Sequence, residues 1–187
     1  MNRATAELVT AFGAVTFRSA HGASVVSEGA IDVARAAAEA ARFEPFDLAH
    51  RGRYAFSDAR VPEPVVTELV ALGALCTGRR LGLRQHRWVR MVRGDYALEA
   101  DDAAWVPTVS SDTSPPLDVT LDVSTRETGE AEVVFTRGGA AFFTVAQRPG
   151  EVGLVERSPG VARYERYLTH RVGDAQVVRL RLWLAVL

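Results

Sequence analysis

Arg93-Gly94-Asp95-Tyr96-Ala97-Leu98-Glu99-Ala100-Asp101-Asp102 is the stretch on which the reading of this chain turns. A basic, apolar run ending at Val92 leads into it. Arg93-Gly94-Asp95 reads as a turn, because glycine takes a positive φ freely and aspartate bonds its own backbone. Beyond the turn three carboxylates crowd together. In an extended segment residues two apart point to the same side, so Glu99 and Asp101 share a face and Asp102 lies opposite. Two carboxylates on one face repel unless a cation or arginines answer them.

Candidate answers lie near the C-terminus, in His170 and in Val177-Val178-Arg179-Leu180-Arg181-Leu182-Trp183-Leu184. The second run alternates strictly. Val178, Leu180, Leu182 and Leu184 take one face; Val177, Arg179, Arg181 and Trp183 take the other. A strand face with arginines and a tryptophan suits the lining of a polar pocket, but on the strand alone the preferred reading is that these arginines face water.

Gly94-Asp95-Tyr96 through Asp101-Asp102 resembles the start of the metal motif in Fe(II)/2-oxoglutarate-dependent oxygenases, most nearly in their prolyl-hydroxylase-like branch. Thr169-His170-Arg171-Val172 is similar to the segment around that family's distal histidine. Gly129-Glu130-Ala131-Glu132-Val133-Val134-Phe135 and Arg148-Pro149-Gly150-Glu151-Val152-Gly153-Leu154-Val155 resemble two of its core strands with their turns. The resemblance runs in order over about residues 84 to 184. It implies Asp101 and His170 as metal ligands, with Glu99 standing where the family has its first histidine. It also implies Arg179, or failing that Arg181, on the carboxylate of 2-oxoglutarate. A Glu/Asp/His set is harder and more negative than two imidazoles and one carboxylate, and favours oxygen-loving ions.

The rest of the chain fits one domain, with residues 1–80 as a helical and mixed support and 81–187 as a jelly-roll core. At 187 residues and formal net charge −1, the chain offers no electrostatic case for nucleic acid or an anionic membrane. All 22 basic side chains counted as Lys or Arg are arginine, which together with abundant alanine reads as a bacterial, high-GC coding bias. Cys76 is the only cysteine, so no internal disulfide forms, in keeping with a reducing cytoplasm. No apolar run is long enough to span a membrane, and no basic-then-hydrophobic stretch marks a secretory signal.

Leu8, Val9 and Phe12 fit a short helix, with strands expected at Ala14–Phe17 and Ser24–Val26. Ser27 is a candidate N-cap for a helix whose small face, Ile31, Ala34, Ala38 and Ala41, runs up to Phe43 and is stopped by Pro45. Residues 46 to 61 read as a loop or irregular strand. Pro62-Glu63-Pro64 opens a second helix with a broad apolar stripe, and Gly78 closes it. Strands follow at 85–92, 117–123, 131–135, 141–146, 152–155, 164–172 and 177–184, punctuated by glycine and proline. Ser110-Ser111-Asp112-Thr113-Ser114-Pro115-Pro116 is the candidate mobile segment near a pocket mouth. His21, His50 and His86 read as exposed or hydrogen-bonded side chains.

Many short strands with turn signals argue for a sandwich or barrel, and helices gathered at the N-terminal end cover one outer face. The expected fold is therefore mostly β with N-terminal helices: a double-stranded β-helix, or jelly roll. No phosphate-binding glycine loop, paired-cysteine zinc pattern or Gly-x-Ser-x-Gly elbow occurs. A Glu99/Asp101 acid–base pair of the glycosidase kind is disfavoured, since side-by-side carboxylates do not flank a substrate.

Two functions stay open. One is an oxygenase using Fe(II) and 2-oxoglutarate to hydroxylate a small molecule or a protein side chain. The other is a non-catalytic relative, a ligand- or partner-binding protein in which Glu99 and Asp101 pair directly with Arg179 or Arg181.

Overall fold

The chain alternates between two sheets after its first ninety residues. The structure is a computed structural model and describes residues 1–106, 114–146 and 148–187. Most of the Ser110–Pro116 segment therefore lies outside the described residues. In chain order the elements are α1 (Arg3–Ala14), β1 (Ser19–Gly22), α2 (Glu28–Ala40), β2 (Glu44–Asp47), β3 (Arg53–Ser57), α3 (Glu63–Thr77) and β4 (Leu81–Met91). Then come α4 (Glu99–Trp105), β5 (Leu117–Asp122), β6 (Glu132–Arg137), β7 (Ala140–Ala146), β8 (Val152–Glu156), β9 (Val161–Glu165), a 3-10 turn at His170–Val172, and β10 (Val177–Val186). A seven-stranded sheet has the order β1-β8-β5-β10-β4-β3-β2, and a three-stranded sheet the order β7-β6-β9. All the pairings are antiparallel. This is a double-stranded β-helix with helices on one outer face.

The helices start and stop where local chemistry dictates. Ser27 caps α2 by accepting the Ala30 N–H, and its own N–H and hydroxyl reach the Glu68 carboxylate on α3. Pro62 leads into α3, and Gly78 ends it in the left-handed region at φ 69°. α1, α2 and α3 bury Leu8, Phe12, Ala34, Val65 and Leu69 against the outer face of the large sheet. That face is leucine and valine: Leu117, Val119 and Leu121 from β5, and Leu180, Leu182 and Leu184 from β10. No described helix is long and apolar enough to cross a membrane.

Several local expectations are corrected. α1 extends to Ala14, so the first strand is Ser19–Gly22, paired with β8, and Ser24–Val26 forms no strand. α2 stops at Ala40, ahead of Phe43, because the chain turns to pair Glu44–Asp47 with Arg53–Ser57. The stretch 46–61, read as a loop or irregular strand, contributes most of the β2–β3 hairpin. β9 ends at Glu165 and does not reach Val172. The Leu168 N–H bonds the Asp95 carbonyl and the Leu168 carbonyl accepts from Gly94 N–H, which draws the chain off the sheet.

The most consequential correction falls after the Gly94 turn. The turn itself forms as expected: Gly94 has φ 91°, and the Asp95 carboxylate accepts the Val92 N–H at 2.9 Å. Tyr96 then bridges to Arg53 on β3 and Ala97 to Glu165 on β9. At Glu99 the chain becomes α4. Three carboxylates in a first turn favour that helix by complementing its N-terminal dipole, and the Asp101 side chain accepts the Leu98 N–H at 2.7 Å. Glu99 and Asp101 therefore do not share a strand face.

Candidate functional site

The space between the two sheets is lined by charge. On β10 the leucines face the helices, so Arg179 and Arg181 face inward. β5 lies beside it with Asp122 opposite Arg179 and Thr120 opposite Arg181, so Asp118, Thr120 and Asp122 turn to the same interior. β9 adds Arg163 and Glu165 from the small sheet, Arg157 follows β8, and Asp102 comes from α4. These four carboxylates (Asp102, Asp118, Asp122, Glu165) and four guanidiniums (Arg157, Arg163, Arg179, Arg181) are all buried.

They pair among themselves. Asp118 is the hub: it meets Arg157 at 3.1 Å, Arg163 at 3.4 Å and Arg181 at 3.2 Å. Asp102 bridges Arg181 at 2.7 Å and Arg157. Glu165 joins Arg163 at 2.7 Å to Arg179, and Arg179 also lies 3.7 Å from Asp122 and donates to the Ala131 carbonyl. Thr120 accepts from Arg163 at 3.1 Å. Aromatic rings cover the guanidiniums: Arg181 lies 4.2 Å from the Trp105 centroid and Arg157 5.5 Å from that of Trp183. Phe135 covers Arg163.

Equal charge of each sign allows this interior to exist. An unpaired buried ion costs several kcal/mol after relaxation, and each of these has a partner. Burial pushes the Asp102 carboxyl up, but Arg181 and Arg157 outweigh it and hold the group below its ordinary range. Glu165 follows the same pattern, with burial overcome by Arg179, Arg163 and Arg181. Arg163 is moved down by burial and by Arg181 beside it. At the edge of the cluster, burial pushes the Tyr54 hydroxyl up to about 12, helped by Asp101.

The residues expected to hold a metal are not gathered. Asp101 is committed to Arg51 at 2.5 Å, to the Gly52 N–H at 2.8 Å and to its own helix cap. Gly52 is required there, since a Cβ would lie 2.4 Å from an Asp101 oxygen and 2.6 Å from the Tyr96 carbonyl. Glu99 accepts from the Thr136 hydroxyl. His170 stands exposed on the 3-10 turn, outside the interior. Among the described residues no group of three or more His, Cys, Asp or Glu side chains is placed to hold a metal ion. The correction follows from α4 replacing an extended segment and from β9 ending before His170. Arg179 and Arg181 do face inward, but their guanidiniums are taken up by Glu165, Asp122, Asp102 and Asp118.

The interior does not fit Fe(II) with 2-oxoglutarate. None of the four histidines is buried, so the donor set lacks imidazole. The chamber left between Tyr54, Trp105, Arg163 and Arg181 is about 20 Å³, room for one water and not for a dicarboxylate. A wider cleft of about 330 Å³ opens above it, with Glu99, Asp102, Arg157 and Trp183 in its wall.

Asp118, Arg157, Arg163 and Glu165 escaped the sequence reading. The signal was present in β5, where Asp118, Thr120 and Asp122 alternate with Leu117, Val119 and Leu121. Two aspartates on the second face of a strand bordering Arg179 and Arg181 ask for pairing. Which strand borders β10 is not visible in one dimension.

No protein-family model matches the chain, and no curated protein matches its sequence. Solved structures do match. An oxidoreductase of the 2OG-Fe(II) oxygenase family from Burkholderia pseudomallei is similar with TM-score 0.69 at 14% identity, over 97% of this chain and 90% of its own. A Pseudomonas putida prolyl-4-hydroxylase is similar with TM-score 0.63 at 12% identity, over 98% and 99%. A prolyl hydroxylase from Trichoplax adhaerens, in complex with a hypoxia inducible factor peptide fragment, gives 0.64 at 8%, over 98% and 90%. The chain is thus 2OG-Fe(II)-oxygenase-like in fold, as the sequence resemblance implied. At these identities the likeness speaks to fold, and function has to be argued from the site.

Proposed function

We propose that this oxygenase-like chain works by binding a ligand or partner on a jelly-roll scaffold whose centre is closed by ion pairs. The Asp118 hub carries this reading. It draws Arg157, Arg163 and Arg181 together at the middle of the barrel and leaves about 20 Å³ beside them. Opening that centre for a metal and a co-substrate means separating buried pairs, each break costing about 3–5 kcal/mol. Binding then falls to the clefts at the barrel's end and flanks. The single buried thiol of Cys76 and the all-arginine basic set suit a bacterial cytoplasm.

The fold itself favours a second reading, an active oxygenase. There Glu99, Asp101 and His170 hold Fe(II), Arg179 or Arg181 holds 2-oxoglutarate, and a small molecule or a protein side chain is hydroxylated. This reading requires Asp101 to release Arg51 and Gly52, and His170 to move inward.

Anaerobic titration with Fe(II) plus 2-oxoglutarate separates the two. The binding-protein reading expects no visible charge-transfer band and no metal retained by the purified protein. A saturable band at one equivalent of iron overturns it in favour of the oxygenase.

A further inference from the structure

Away from the barrel centre, a cleft of about 600 Å³ lies between the end of α2 and the strand ends of the large sheet. That volume falls within the range of small-molecule pockets. Three arginines converge on it from different elements: Arg35 from α2, Arg90 from β4 and Arg126 from the loop after β5. Phe43, Val123 and Val178 supply an apolar wall.

The arginines differ in what they already hold. Arg126 pairs with Asp174, and both are well exposed. Arg35 reaches Asp32 at 3.2 Å through one terminal nitrogen, while its buried Nε has no hydrogen-bond partner among the described residues. Arg90 stacks on Phe43, its guanidinium carbon 4.5 Å from the ring centroid, and makes no ion pair among the described residues. Stacking uses a guanidinium's flat face and leaves its edge to donate two parallel hydrogen bonds. The interior differs in that every guanidinium there lies within 4.0 Å of a carboxylate, whereas Arg90 has no carboxylate that close among the described residues and only lends charge to Asp95.

We propose that this cleft binds a small organic anion, a carboxylate or phosphate ester with an apolar body. Its acid group bonds the edge of Arg90 and the terminal nitrogens of Arg35, whose side chain is partly exposed. Its body lies against Phe43, Val123 and Val178. Glu39, one turn after Arg35 on α2, and the Arg126–Asp174 pair also line the cleft. The site lies outside the barrel and stands whether or not the barrel centre is catalytic.

Calorimetric titration of the full chain at low salt with phenyl phosphate and with phenylacetate tests this, the two probes separating phosphate from carboxylate recognition. At least one should bind saturably. Arg90→Gln and Arg35→Gln should each weaken it about ten- to hundredfold, as expected for a lost charge-assisted hydrogen bond. Arg166→Gln, just past the end of β9, should leave it unchanged. Inorganic phosphate should bind more weakly than phenyl phosphate if the apolar wall contributes. The proposal is overturned if neither probe binds up to about 10 mM, or if Arg90→Gln and Arg35→Gln both bind as wild type while keeping its circular dichroism spectrum.

Discussion

The molecule has two interiors, on either side of the same sheet. Between the helices and the large sheet lies a layer of leucine, valine, alanine and phenylalanine. Between the two sheets lies a layer in which four arginines and four acids are buried just as fully. β5 and β10 serve both, offering Leu121 and Leu182 to one side and Asp118 and Arg181 to the other. The apolar layer gains from each group it removes from water and depends little on direction. The ionic layer gains only when every partner is present, since desolvation consumes most of the Coulomb attraction. One interior tolerates loss by degrees; the other is a matched set.

Breaking the set should therefore have the largest effect. Asp118→Leu leaves Arg157, Arg163 and Arg181 each short of a partner, and a loss of about 3–5 kcal/mol in urea denaturation is expected. Adding Arg163→Met should return part of that loss, which a purely steric effect at Asp118 would not do. Leu182→Ala strikes the apolar layer from the same β10 strand and should cost about 3 kcal/mol, close to the usual range for a buried leucine. No second substitution in the ionic layer should rescue it.

Gly52→Ala tests the edge where the layers meet α4. The added Cβ would collide with the Asp101 carboxylate and the Tyr96 carbonyl, both within 2.6 Å. About 2 kcal/mol should be lost, with Arg51 released from Asp101. A wild-type melting temperature would show that the Asp101 cap is dispensable.

Acid sharpens the comparison with the smallest expected effect. Asp102 and Glu165 are held below their ordinary range, so the unfolded chain takes up protons first. Their contribution is complete above about pH 4, the ordinary carboxylate range, and drains as pH falls through the lowered folded values. Stability of the wild type should fall with acid over that window. Asp102→Asn should flatten the slope, and Leu182→Ala should shift the whole curve without changing its shape.

Much of this was legible in the chain. The alternation of Val177–Leu184 identified both faces of β10, and the Gly94-Asp95 turn formed with the backbone bond expected of it. Ser27, Pro62 and Gly78 marked helix ends because capping is decided within a few residues. Glu99 and Asp101 misled because a run of acids serves an extended segment with a metal and the first turn of a helix equally well. His170 misled because β9 is ended by hydrogen bonds to Asp95 and Gly94, some seventy positions away.

By itself the sequence determined a sandwich or barrel of short strands, which the family resemblance narrowed to a jelly roll, the N-terminal helices, and the common strand face of Arg179 and Arg181. Period-two patterning and turn residues act locally, and they are written one after another along the chain. Tertiary structure alone decided what those arginines meet. Asp102, Asp118 and Glu165 come from three different elements, and their charges matter only at hydrogen-bond distance, where burial leaves each ion no alternative to its neighbour.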